Sequence, residues 1–265
     1  MSTLTSFFMP ILFYFIIFLF GLAVGSFLNA LIYRLYFGGS VIFGRSMCPK
    51  CKHELSALDL IPVVSFFLLR WKCRYCRGKI SWQYPVVEIV VAILFLLTAI
   101  DVSARGTWQV AQLLLNLIFS LFFISALVVV FVYDLKYYLI LDKVVFPAIV
   151  VAFIAALVLP DANIWNALLG SAICGGFFLI LVLLSKEKWM GAGDAKLGFL
   201  VGLIVPFPEV FVLLIIAFVG GSIISLFLVA LKKKTMKDAV PFGTFLAASA
   251  VISMFVGKEI IAVMF

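Results

Sequence analysis

The chain has 265 residues, of which 66% are hydrophobic and 12% charged, with a formal net charge of +8 and a mean hydropathy of +1.30. A soluble domain of this size is not so apolar, and no run of short alternating segments suggests a membrane barrel, so the class is an all-α polytopic membrane protein. The positive balance, which in a soluble protein would point to nucleic acid, reads in a membrane chain as basic loops gathered on one side of the bilayer, and no nucleic-acid partner is expected.

The first apolar stretch runs from near Thr5 to near Tyr36. It is longer than a signal-peptide core and has no small-residue cleavage site, since Gly25-Ser26 continues directly into Phe27-Leu28; it reads as a retained first span. Candidate spans follow at 6–33, 85–100, 108–132, 144–159, 164–185, 194–206, 209–231 and 242–263, about eight helices, of which the second and sixth are short against the ~20 residues a crossing needs. One polar segment, Tyr36 to Tyr84, interrupts them and holds four of the five cysteines and the single histidine, His53. The chain therefore divides into a first span (1–36), a four-cysteine segment (37–84) and a seven-helix core (85–265).

Counting Lys and Arg sets the orientation. With the N-terminus outside, the inner segments 34–84, 134–143, 186–196 and 232–237 hold 9, 2, 3 and 4 of the 20 basic residues, and the outer side keeps only Arg105 and Lys258. The cysteine segment and the loops carrying Asp134 and Asp194 are then expected on the cytoplasmic face.

In the polar segment, Cys48-Pro-Lys-Cys51 and Cys73-Arg-Tyr-Cys76 are two CxxC knuckles separated by 21 residues. Such a pair closes a tetrahedral four-sulfur site suited to zinc, and a site with no open position is structural. Lys50, Lys52, Lys72, Arg74 and Arg77 favour the thiolate forms. Two disulfides are the alternative, and the reducing cytoplasm argues against them. Cys174 lies in an apolar helix and reads as a core residue, and His53 as a solvated loop residue.

Asp134 and Asp194 each sit at the end of an apolar span, each followed two residues later by a lysine, Lys136 and Lys196. Taken singly, Asp194 reads as a helix N-cap after a glycine turn and Asp134 as a solvated loop acid paired with Lys136. Taken together, two carboxylates brought close cannot both ionise comfortably, so one can take a proton from water while the other donates to a carbonyl, the division of labour in an aspartic protease. Gly191 and Gly193 would then leave room for a substrate backbone, and Lys136 and Lys196 would act on the pair by charge proximity.

These residues fall in an order that resembles the type IV prepilin peptidase family, the GxGD aspartic membrane proteases. The resemblance runs through Gly21-Leu-Ala-Val-Gly25-Ser26-Phe27-Leu28-Asn29 and Ile32-Tyr33-Arg34, Ser46-Met-Cys48-Pro-Lys-Cys51, Leu60-Ile61-Pro62, Lys72-Cys73-Arg74-Tyr75-Cys76 and Ile80 to Glu88. It continues in the stretch opened by Asp134, DLKYYLILD, in Met190 to Leu197, and in Pro241-Phe242-Gly243. It implies a membrane aspartic endopeptidase of the bacterial inner membrane that removes a short basic leader from type IV prepilin or pseudopilin precursors after a glycine, and N-methylates the new terminus with S-adenosylmethionine. Asp134 and Asp194 carry over as the catalytic pair, with Asp142 of Ile140-Leu141-Asp142 the runner-up, in a triplet that lacks the family's proline. Trp71 replaces a usual glycine and the Tyr36 to Gly44 segment lacks a usual proline, both in the region tied to methylation. Cleavage without methylation is one alternative. A zinc-knuckle membrane scaffold without catalysis is another. A proton-coupled transporter fits less well, because its carboxylates belong near mid-span.

Overall fold

In a computed structural model, residues 2–39, 44–104, 110–233, 235 and 240–264 are described; Arg105 and residues 234, 236 and 237 of the last basic loop lie outside them. The helices are α1 (Ser2–Phe37), α2 (Val64–Leu68), α3 (Gln83–Ala104), α4 (Val110–Tyr137), α5 (Asp142–Val158), α6 (Ile164–Ser185), α7 (Ala192–Ile204), α8 (Val210–Ala230) and α9 (Phe242–Met264), with a 3-10 turn at Ala57–Leu60. Among the described residues there are no strands, only the isolated bridges Met47–Glu54 and Lys72–Lys79. Among the described residues six helices are long and apolar enough to cross a membrane. The expected second span is a full 22 residues, whereas α5 has 17 and α7 only 13, about 20 Å at 1.5 Å per residue.

The chain forms two compact units, Met1–Gly106 and Thr107–Phe265. α3, grouped by sequence with the core, packs here against α1 in the first unit. Gly21, Gly25, Leu28, Asn29 and Ile32 form a buried stripe at helical spacing on α1. A Cβ at Gly21 would lie 2.6 Å from the Ala92 backbone, and one at Gly25 2.7 Å from that of Glu88, so the two glycines, four apart, let the helices touch backbone to backbone. The polar segment is tied to this pair by buried side chains. Asn29 donates to the Tyr84 carbonyl at 3.0 Å, and the Val63 N–H donates to the Glu88 carboxylate at 2.7 Å.

Within that segment the two knuckles repeat one backbone pattern. Lys52 N–H donates to Cys48 O and Cys48 N–H to His53 O; Arg77 N–H donates to Cys73 O and Cys73 N–H to Gly78 O. Asp59 fastens the 3-10 turn to the second knuckle, accepting from Arg74 at 2.7 Å, the Ser56 hydroxyl at 2.8 Å, the Ser56 N–H at 3.1 Å and the Tyr75 hydroxyl at 3.2 Å. Trp71 has φ +52°, a left-handed backbone that glycine adopts without strain and that a tryptophan adopts at a cost. Its ring packs 6.2 Å from Phe66 and 5.9 Å from Trp82, so the turn keeps its shape.

In the second unit, loops of four to six residues join α4 through α8, as antiparallel neighbours require. α7 is enclosed by α5, α6 and α9, and Ala195, Leu197, Leu200 and Val201 are almost fully buried. A Cβ at Gly202 would meet the Gly170 carbonyl at 2.4 Å, and one at Gly198 the Gly175 backbone at 3.1 Å, so α6 and α7 meet along facing glycines.

Two predictions follow the packing. Gly25→Val puts branched carbons into the Glu88 backbone; overpacking of this kind costs about 1–3 kcal/mol, and the thermal midpoint of the purified protein in detergent falls by several degrees. For Asp59, burial alone would raise the carboxyl, but the Arg74 guanidinium and the Ser56 donors outweigh it and hold the carboxyl below its usual range. Its contribution is therefore present above the unfolded value near 4 and lost as pH falls through the lower folded value. Asp59→Asn is less stable than wild type at pH 7, and the gap narrows as unfolding is followed below about pH 4.

Candidate functional site

Asp134 is in the last turn of α4 and only 4% exposed. Its Oδ2 accepts the Thr244 N–H at 2.7 Å and the Thr244 hydroxyl at 3.0 Å. Asp194 is half-buried in the first turn of α7. Taken singly it reads as a helix N-cap; in the structure Gly191 is the N-cap, and Asp194, three residues on, reaches back to accept the Gly191 N–H at 3.3 Å. The two carboxylates are close enough for their charges to interact. Three helix ends thus converge at one end of the unit: the C-terminus of α4 and the N-termini of α7 and α9.

Ile140, from the turn between α4 and α5, spaces this cluster. Cβ atoms added at Gly193 and Gly243 would lie 3.0 Å from Ile140 Cβ and 2.7 Å from Ile140 Cδ1 respectively, and the one at Gly243 would also come 2.9 Å from Asp134 Oδ2. Gly193 therefore serves packing against Ile140, while Gly191 is open: a Cβ there would meet Asp194 Oδ2 only at 3.8 Å. α9 is held at this end by Phe242, whose ring lies 5.5 Å from Phe178 on α6 and 5.1 Å from Phe218 on α8.

The flanking lysines do not bond to the two aspartates. Lys196 Nζ is bound by both oxygens of Asp142, at 2.8 and 2.9 Å. Lys136 is exposed, its Nζ 5.2 Å from the Tyr137 ring centre. Asp142, the alternative first carboxylate, is exposed at the start of α5 and neutralised by Lys196. Thr244 was missed in the sequence: a hydroxyl residue at the third position of an apolar helix looks like any cap-proximal threonine, and its partner lies 110 residues away.

In the first unit, the ligand atoms of Cys48, Cys51, Cys73 and Cys76 lie within 4.8 Å of one another, with Cys48 and Cys76 Sγ 3.9 Å apart. Four sulfurs around zinc at about 2.3 Å stand about 3.8 Å from each other, so the cluster fits a tetrahedral ion. Burial would raise the Cys48 thiol, but the backbone N–H groups of Cys51 and Lys50 and the neighbouring thiols bring it down to about 7. At Cys51 a donor near His53 works downward, yet desolvation and the adjoining thiols push it up to about 11. Crowded thiols that cannot all ionise together are what a dication converts to thiolates.

Beside the first knuckle is an open groove of about 510 Å³ lined by Arg45, Lys52, His53, Glu54, Leu55, Ser56 and Tyr75. His53 is an exposed loop residue, as the sequence suggests, and its ring lies tilted against Tyr75 with centroids 3.7 Å apart. The groove presents an aromatic ring, two cations and a carboxylate, of which Arg45 and Glu54 pair with each other at 3.0 Å and Lys52 donates to the Tyr33 hydroxyl at 3.0 Å.

Comparison with known proteins gives one consistent result. Residues 19–102 match the family model described as the bacterial peptidase A24 N-terminal domain, and residues 121–226 match that of the type IV leader peptidase family. A protein of Aeromonas salmonicida (strain A449) named prepilin leader peptidase/N-methyltransferase is 29% identical over 95% of this chain and 94% of its own length. Proteins of the same name from Bacillus subtilis (strain 168), 29% identical over 93% of this chain and 96% of its own, and Myxococcus xanthus (strain DK1622), 30% over 85% and 65%, are similarly related. No solved structure matches the chain at a significant level.

Proposed function

The chain belongs to the type IV leader peptidase family, and on that premise we propose that it is an aspartic endopeptidase of the bacterial inner membrane that cleaves the leader from type IV prepilin-like precursors and N-methylates the new terminus. The observation that carries the peptidase reading is the meeting of buried Asp134 and half-buried Asp194 at one end of the second unit. One carboxylate, ionised, takes a proton from a water as its oxygen attacks the scissile carbonyl carbon; the other donates its proton to the carbonyl oxygen. Collapse of the tetrahedral diol breaks the C–N bond, with a proton passing to the leaving amine. The open side of Gly191 leaves room for the extended substrate backbone beside Asp194. Lys136 and Lys196 stay outside this proton transfer, because Lys196 is bound to Asp142 and Lys136 points to solvent.

The 18-to-2 division of basic residues supports an outer N-terminus and a cytoplasmic site. The substrate's apolar segment lies in the bilayer beside the enzyme, with the scissile bond at the inner interface. Cys48, Cys51, Cys73 and Cys76 hold a structural zinc with no open position. S-adenosylmethionine, when bound, supplies the methyl group for the new amino terminus; Tyr75, Arg45, Lys52 and Glu54 of the groove would hold its adenine, carboxylate and cationic ends.

Three outcomes check these assignments. Asp134→Asn and Asp194→Asn each lower cleavage of a model prepilin by about a thousandfold, within the range for loss of an acid–base partner, while Asp142→Asn stays within about tenfold; normal cleavage by either of the first two variants in membranes rejects the dyad. A non-catalytic scaffold gives the reverse pattern, with cysteine substitutions harmful and both aspartates dispensable. Reductively purified protein carries about one zinc per chain, falling below half in Cys48→Ser. Tyr75→Ala lowers equilibrium binding of labelled S-adenosylmethionine about tenfold and leaves cleavage unchanged.

A further inference from the structure

The Asp134 carboxylate is held asymmetrically. Both donors of Thr244, its N–H at 2.7 Å and its hydroxyl at 3.0 Å, go to the same oxygen, Oδ2, while no described residue donates to the other. Thr244 can make both bonds because it is the third residue of α9, where the backbone N–H has no intrahelical partner and the positive end of the helix dipole faces the carboxylate. Gly243 leaves the space for this approach, since any Cβ there would collide with Oδ2. Among the described residues Asp194, by contrast, receives only the long 3.3 Å contact from Gly191 N–H.

We propose that Thr244 is the positioning residue of the peptidase pair and that it fixes the roles of the two aspartates. This rests on the dyad reading above. Two donors on one carboxylate favour its ionised form, because each bond is stronger to the charged oxygen than to a neutral carboxyl. Asp134 is therefore the base, presenting its free Oδ1 to the attacking water, and Asp194 carries the shared proton and delivers it to the substrate carbonyl. Lys196 is engaged by Asp142 and does not compete for either carboxylate.

Thr244→Val keeps the shape and the backbone N–H and removes the hydroxyl. It lowers kcat for prepilin cleavage about tenfold with KM within about twofold, since Thr244 does not touch substrate, and Thr244→Ser restores kcat to within about twofold of wild type. Labelling tests the roles directly. A diazoacetyl ester alkylates a protonated carboxyl with loss of N2, and an epoxide is opened by an ionised one. Peptide mapping finds the diazo label on Asp194 and the epoxide label on Asp134. An unchanged kcat in Thr244→Val, a loss that Thr244→Ser does not repair, or reversed labels overturns the proposal. Cleavage that survives Asp134→Asn or Asp194→Asn overturns the dyad instead, so the two failures are distinct.

Discussion

A helix of 13 residues is too short to span the ~30 Å of hydrocarbon unaided, and the second unit is built around that constraint. In lipid there is no hydrophobic force to drive helices together, so close packing must do it. α7 meets α6 backbone to backbone at Gly170–Gly202, and at Gly175–Gly198 the missing side chains make room for the Phe199 and Phe178 rings, while α5 and α9 close around it. That enclosure keeps the backbone of a short helix away from lipid. It also fixes the depth at which α7 begins, and hence where Asp194 stands.

The position of Asp134 depends on the same frame. α4 ends in a turn at Tyr138, whose φ of +55° reverses the chain and swings Ile140 back over Gly193 and Gly243. Ile140 is the apolar spacer around which the three helix ends assemble. Two of those ends are N-termini, and each offers its unpaired N–H groups to a carboxylate: α7 to Asp194, α9 to Asp134. Charges in a dry setting need partners. Here they are backbone and hydroxyl donors, with the lysines left outside, so neither carboxylate is locked in an ion pair, which supports the proposed proton transfer.

The first unit solves a different problem. A polar segment of nearly fifty residues cannot bury enough apolar surface to fold by itself. It is instead stapled by four clustered thiols, by Asp59 and its four donor contacts, and by Glu88 and Asn29 reaching out of α3 and α1. Each fastening holds a backbone turn, several with positive φ at non-glycine residues such as Val63 and Trp71. Polar bonds and aromatic packing fix those conformations where a core would otherwise do so.

Membrane class, the helical pattern, the four-cysteine knuckles and the two aspartates were legible in the sequence, because each rests on composition or on spacing within a few residues: apolar runs near twenty, a CxxC pair, a carboxylate at the end of a span. The helices other than α2 begin and end within about four residues of the expected spans, apart from the end of α4, which runs five residues further, as the strength of such apolar periodicity implies. The tertiary structure alone decided the rest. It moved α3 to the side of α1, made Gly191 and not Asp194 the cap, gave Lys196 to Asp142, and brought Thr244 to Asp134 across 110 residues. Those outcomes depend on which helix faces meet, and backbone approach at glycine, a few tenths of an ångström at a time, settles that only once the whole bundle is assembled.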